Sequence, residues 1–216
     1  MTMSEQTALL HLLAWLSPGF PTGGYAYSHG LEWAVESGDI RDGDTLRGWL
    51  ADVLLHGSGH NDLILLRHAH RPGCDLAALN DLAIAVGPSR ERRAETLDQG
   101  TAFIAAAAAW QPPVLPARVA YPVAVGALAA HHGIAEDATA AGYLQAFATN
   151  LISAAVRLVP LGQSAGLRVL AALEPVILHV TDATRTATLD DLGGCAFRSD
   201  LAAMLHETQY TRLFRS

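Results

Sequence analysis

The sequence predicts an all-α protein, and three observations carry that prediction. Half of the 216 residues are hydrophobic and only 16% are charged, a balance that supports a buried core rather than a disordered chain. Alanine is abundant while aromatics make up 6%. The apolar mass therefore sits in small side chains that let helices approach closely, and alanine is the best helix former. Apolar residues recur at spacings of three and four, and segments alternating every second residue are few and short; residues 176–180 are the best strand candidate. The length suits one sizeable core, and no repeat or linker divides the chain. The expectation is a single-domain bundle over residues 1–216, with roughly ten helices and a flexible C-terminal tail at 208–216.

Taken in order, Leu9, Leu12, Leu13 and Leu16 form the stripe of a first helix. Ser17-Pro18-Gly19 ends it, because proline disfavours helical geometry in its predecessor. Phe20-Pro21-Thr22-Gly23-Gly24 is a second break, and a short helix follows over about 25–36. Asp44 or Thr45 is expected to cap the next helix, with Leu46, Trp49, Leu50, Val53 and Leu54 facing inward. His56-Gly57-Ser58-Gly59 breaks the helix, which resumes at 61–70. Asp75 opens a helix to about 86, and Ser89 caps a long one reaching Trp110. Three prolines in residues 111–116 make a rigid loop. Helices are predicted over about 121–131 and 136–158; in the latter, Leu144, Phe147, Leu151, Ala155 and Leu158 hold a period near 3.6. Pro160 suits the first turn of another helix reaching about 173, with Pro175 as a kink or break. Residues 190–194 read as a loop, and Ser199 as the cap of a last helix to about 208.

Charge excludes several functions. The net charge is −7 and the pI near 5.7, whereas nucleic-acid binding needs clustered cations. The densest basic run, Arg90, Arg92 and Arg93, is interrupted by Glu91 and Glu95 and reads as a solvated helix face. All 14 basic residues are arginine. A phosphate-loop NTPase and a Schiff-base enzyme each need a lysine, so the chain is neither. Cys74 and Cys195 are too few for a disulfide framework and read as buried, reduced thiols. Residues 8–16 are apolar but have no basic residue before them, as a signal peptide requires, and no run reaches the ~20 apolar residues of a membrane span. A cytoplasmic protein is expected.

Two patterns suggest catalysis or metal binding. Gly162-Gln163-Ser164-Ala165-Gly166 matches the nucleophile elbow of serine hydrolases, with Asp182 and His206 following in triad order. That elbow sits on a parallel sheet, which this chain lacks the strands to build. His56 and His60 are four apart, a chelating spacing on one helix, but the glycines between them argue against that helix. Neither cofactor nor metal site is expected.

Two further stretches look unlike core-building sequence. In residues 17–32, two prolines and four glycines surround Phe20, Tyr25 and Tyr27. In residues 208–216, Tyr210, Leu213 and Phe214 stand beside Arg212 and Arg215, a pairing enriched at interface hot spots. A terminus this short cannot bury three large groups within itself, so it grips a partner or folds back on its own domain.

Together these stretches resemble the UreF family of urease accessory proteins. Its first motif appears as Ser17-Pro18, Phe20-Pro21-Thr22-Gly23, Tyr25 and Ser28-His29-Gly30-Leu31-Glu32. Its second appears as Ser153-Ala154, Arg157-Leu158, Pro160-Leu161 and Gln163. Its third appears as His206-Glu207, Tyr210 and Arg212-Leu213-Phe214; Glu91-Arg92 and Gly100 resemble the family's middle section. The resemblance implies an all-α, dimeric, non-enzymatic urease maturation factor with no cofactor of its own. It implies binding to the accessory protein UreD (UreH), recruitment of the GTPase UreG, and docking on urease apoprotein to support nickel insertion. It also implies that the tail engages UreD, with Tyr25 and Arg212 near the GTPase-recruiting surface. The partner-binding set is Phe20, Tyr25, Tyr27, His206, Glu207, Tyr210, Arg212, Leu213, Phe214 and Arg215, without nucleic acid or membrane contact.

Overall fold

A computed structural model describes residues 4–216, and among them the regular structure is entirely helical. Ten α-helices follow one another: α1 (Glu5–Trp15), α2 (Leu31–Glu36), α3 (Gly43–His56), α4 (Ser58–His70), α5 (Leu76–Ala85), α6 (Arg90–Ala106), α7 (Tyr121–His131), α8 (Glu136–Leu158), α9 (Gln163–Ala183) and α10 (Phe197–His206). Three short 3-10 turns join them.

The most hydrophobic helix, α7, lies at the centre. Every residue from Pro122 to Ala129 is buried, and the helix packs chiefly on α4, α6 and α8. A helix buried on all sides gains from the small alanines that composition supplies. Around this axis α3 and α8 both lie against α9, while α10 crosses α2 and α6. One core cluster runs through all ten helices except α6's first turns and most of α10, which contributes only Ala202.

Several elements differ from the sequence reading. The helix expected over 25–36 is a 3-10 turn at Gly24–Ala26 followed by α2, because Tyr27 is extended and His29 and Gly30 take left-handed φ angles of 61° and 79°. At Gly30 a side chain would also meet the Ala203 backbone nitrogen at 2.8 Å, so α10 can cross here only over glycine. Asp42, not Asp44 or Thr45, caps α3, and Thr45 returns the bond in a capping box. Helix α4 starts at Ser58 rather than 61. Ser199 lies inside α10 rather than capping it, and α9 starts at Gln163, after Pro160. Pro175 lies within an unbroken α9, which also contains the supposed strand at 176–180.

By length and composition α9 could cross a membrane, contrary to the expectation that no segment could. Here it is a layer of the bundle: Val169, Leu173, Ile177 and Val180 face inward, and Arg168, Glu174, His179 and Asp182 are exposed.

Candidate functional site: a tail-fastened corner

The corner where α2, α6 and α10 meet is held by buried carboxylates, and the C-terminal residues are what they hold. Glu32, in the first turn of α2, accepts the backbone N–H groups of Leu213 (2.7 Å) and Phe214 (2.9 Å). His206, fully buried at the end of α10, places Nε2 3.2 Å from Glu32 and Nδ1 2.7 Å from Glu91. Arg212 donates to the other oxygen of Glu91 at 2.7 Å. Glu207 accepts the N–H of Arg90 at 2.7 Å, so a carboxylate from the end of α10 satisfies an orphan donor in the first turn of α6, where the helix dipole favours an anion.

A second carboxylate, Glu95, anchors the last residue. Ser216 donates its hydroxyl to Glu95 at 2.6 Å, and Arg92 pairs with the same carboxylate. Burial alone pushes the Glu95 carboxyl up, but Arg92, the neighbouring His29 ring and the Ser216 hydroxyl outweigh it and hold the group well below the usual carboxylate range. Arg92 and Glu95 are therefore a buried pair, not the solvated face expected for the 90–95 run. Backbone pairing completes the strap: Arg215 donates to the Ala26 carbonyl, and Ser28 to the Ser216 carbonyl, both at 2.9 Å. Phe214 is buried. The segment expected to be a flexible tail is folded back on its own domain.

The three sequence motifs converge on one side chain. Arg157, from α8, donates to the Tyr25 carbonyl at 2.9 Å, and its guanidinium lies 4.4 Å over the Phe214 ring, a cation–π contact. Asn150, two turns earlier on α8, donates to the Gly24 carbonyl at 3.1 Å. Tyr25 is thus fixed through its backbone while its ring projects into solvent, 73% exposed.

The ten expected partner-binding residues divide by exposure. Tyr25, Tyr210, Arg212, Leu213 and Arg215 are exposed, and Tyr210 fully so. Phe20 and Glu207 are half-buried, whereas Tyr27, His206 and Phe214 are buried. Tyr27 donates its hydroxyl to Asp98 at 3.0 Å, and burial raises its pKa. The three buried side chains fasten the corner, and the exposed ones lie beside it. Apolar exposure continues along α10 through Phe197, Leu201 and Met204, and recurs on α1 at Leu9, Leu10 and Leu13. Leu9 and Leu13, expected to face the core, thus face solvent. Sequence reasoning assigned no role to Glu32, Glu91 or Glu95 in holding the tail. The signal was their place within or beside the motifs.

Next to this corner, a cavity of about 230 Å³ is lined by His29, Ser58, Asp62, Arg92 and Asp200 among others. Burial, reinforced by Arg92 and partly countered by Glu95, lowers the His29 pKa to about 4. Burial raises that of Asp62 to about 6 against the Tyr143 hydroxyl and Arg92. His29 sits 2.6 Å from the Ser58 hydroxyl.

The rival constellations are not assembled. Ser164 and Asp182 lie near opposite ends of α9, about 27 Å apart at 1.5 Å per residue, and His206 is enclosed between Glu32 and Glu91. His56 ends α3 and His60 lies in α4, separated by the break at Gly57. No cluster of three or more His, Cys, Asp or Glu that could hold a metal occurs among the described residues. Cys74 is half-buried, its thiol pushed up by burial, and Cys195 is exposed rather than buried.

The UreF family model matches residues 40–174 of the chain. A urease accessory protein UreF of a Methylobacterium species (strain 4-46) is 54% identical over 96% of this chain and 88% of its own length. The UreF of Methylorubrum populi is 51% identical over 96% of this chain and 98% of its own, and that of Methylobacterium radiotolerans 50% identical over the whole of both. The match over the whole chain spans the motifs whose residues meet at Arg157, and the chain belongs to the UreF family of urease accessory proteins.

Proposed function

We propose that this chain is the non-catalytic scaffold of a cytoplasmic urease maturation complex. It binds UreD (UreH), recruits the GTPase UreG, associates with a second copy of itself and supports nickel insertion into urease apoprotein. One observation carries the reading: Arg157 binds both the Tyr25 backbone and the Phe214 ring, so an exposed aromatic and an exposed-apolar terminal segment are held as one surface. Fixed aromatics with arginines match the composition of interface hot spots. The lysine-free chain has no nucleotide-binding loop of its own, so the GTPase comes from a partner.

The test is co-expression with UreD and UreG followed by sizing of the complex. Deleting 208–216 is a poor variant, because it would strip the carboxylates of Glu32, Glu91 and Glu95 of hydrogen-bond partners. Tyr210→Ala with Leu213→Asp changes only exposed side chains and is expected to abolish UreD co-purification while helical content stays at the parent level. Arg212→Ala and Tyr25→Ala are expected to lose UreG recruitment more than UreD binding. UreD and UreG binding unchanged in all of these variants would overturn the assignment.

A further inference from the structure

An open groove lies on the outer side of Tyr25, between the 3-10 turn at Gly24–Ala26 and α6. Its volume is about 470 Å³, and its lining includes Tyr25, Tyr27, Asp98, Arg118 and Arg215. These are two cationic residues against one acid, on a chain whose net charge is −7. The single acid is engaged: Asp98 accepts Tyr27's hydroxyl and an Arg118 N–H at 2.9 Å. Arg118 and Asp98 remain open to solvent, at 61% and 47% side-chain exposure, so most of the Arg118 fork is free to donate. Arg215 is exposed and makes no ion pair among the described residues. Its position is nevertheless fixed, because its own N–H is tied to Ala26. Arg157, which like Arg215 makes no ion pair among the described residues, donates to the Tyr25 carbonyl from the side of α8.

Resting on the reading that Tyr25 marks the GTPase-recruiting surface, we propose that this groove receives a carboxylate-bearing segment of that protein partner. The Arg118 and Arg215 forks would meet Asp or Glu side chains, and the Tyr25 ring would cover the apolar part of the segment. Arginine is suited to this because its planar fork pairs with carboxylate bidentately. On an acidic protein, a local cationic patch also selects which face an acidic partner approaches, and rim charges of this kind act mainly on association rate. The patch lies on the side of the 3-10 turn away from α8, whose Asn150 and Arg157 hold the backbone of the turn.

The test measures association of the UreG-type GTPase with the full chain in complex with UreD, at stepped salt concentrations. Variants are Arg118→Glu alone and with Arg215→Glu, and Arg118→Gln as a milder change; co-purification with UreD reports folding. The expected result is an association rate at least about ten-fold lower for Arg118→Glu at low salt, a smaller loss for Arg118→Gln, and a flattened salt dependence for both. Equal rates and salt slopes in the wild type and Arg118→Glu, with Tyr25→Ala still abolishing recruitment, would overturn the groove alone. Recruitment unimpaired in Tyr25→Ala as well would overturn the underlying surface.

Discussion

Replacing Glu32 by alanine should unfasten the tail without unfolding the bundle. The carboxylate accepts two backbone N–H groups, from Leu213 and Phe214, at 2.7 and 2.9 Å. Hydrogen bonds to a charged group contribute about 1.5–3 kcal/mol each, and Glu32 is buried, so screening is slight. The gross loss is then about 3–6 kcal/mol. Water can replace the carboxylate at exposed Leu213 but not at buried Phe214, which brings the expected net cost to about 3 kcal/mol. That cost multiplies the released population of the tail roughly 150-fold, at 1.4 kcal/mol per factor of ten. Trypsin reads this directly, because the chain has no lysine and the tail holds cleavage sites at Arg212 and Arg215. Cleavage of a transiently open segment follows the open population when opening is fast. Glu32→Ala should therefore lose its last residues about two orders of magnitude faster than the parent, with unchanged far-UV dichroism. Equal clipping rates would show that Phe214 burial and the Ser28–Ser216 pairing hold the tail without Glu32, and would refute the reasoning.

Two other perturbations test the interior. Arg67 is 1% exposed and donates to Thr184 Oγ1, Glu136, Asp137 and the Thr181 carbonyl, tying α4 to the start of α8 and the end of α9. Arg67→Ala should cost about 3–5 kcal/mol in chemical denaturation, and a loss below 1 kcal/mol would contradict that role. His29 and Asp62 predict opposing pH dependences. His29 titrates at about 4 when folded against 6.5 unfolded, so the unfolded chain binds more protons in that window and stability falls as pH drops from about 6.5 to 4. Asp62 titrates at about 6 when folded against 3.8 unfolded, so stability falls as pH rises through that range. Asp62→Asn should thus raise stability at pH 7.5 by about 1–2 kcal/mol, discounted because the carboxyl faces a cavity, and should steepen the acid-side decline. Denaturation profiles from pH 4 to 8 check both effects; an unchanged or lowered stability at pH 7.5 would count against the assignment.

Helix content was legible because periodicity is a local property, and the misreadings arise where tertiary contact overrides a local signal. Val176, Ile177 and Val180 look strand-like from their branching, yet Leu173, Ile177 and Val180 share one buried helical face. Pro175 is tolerated on the opposite, exposed side of α9, where the chain continues as helix. Gly59 resembles a breaker, but a side chain there would meet Leu54 Cα at 2.8 Å; within α4 it permits the close approach of α3 instead. The site was legible as two conspicuous stretches, not as a geometry. Nothing local in Glu32, Glu91 or Glu95 announces that each would hold a segment more than a hundred residues away in sequence.

The fastening explains why the terminal motif mixes residues of two kinds. His206 and Phe214 are buried while Tyr210 and Leu213 between them are exposed, so the same short segment both attaches itself and offers a surface. Ordering a free tail at the moment of binding would cost roughly 1–2 kcal/mol per residue in backbone entropy alone. A tail already held by Glu32, Glu95 and Arg157 has met that cost within the domain. Its exposed side chains then meet a partner preorganised, and affinity is no longer set by disorder. It follows that substitutions at the buried carboxylates should weaken partner binding without touching the partner, while those at Tyr210 and Leu213 should weaken it without loosening the tail. Amide exchange at Phe214 and Arg215, measured beside UreD affinity, separates the two classes: the first must change both readings, and the second only affinity.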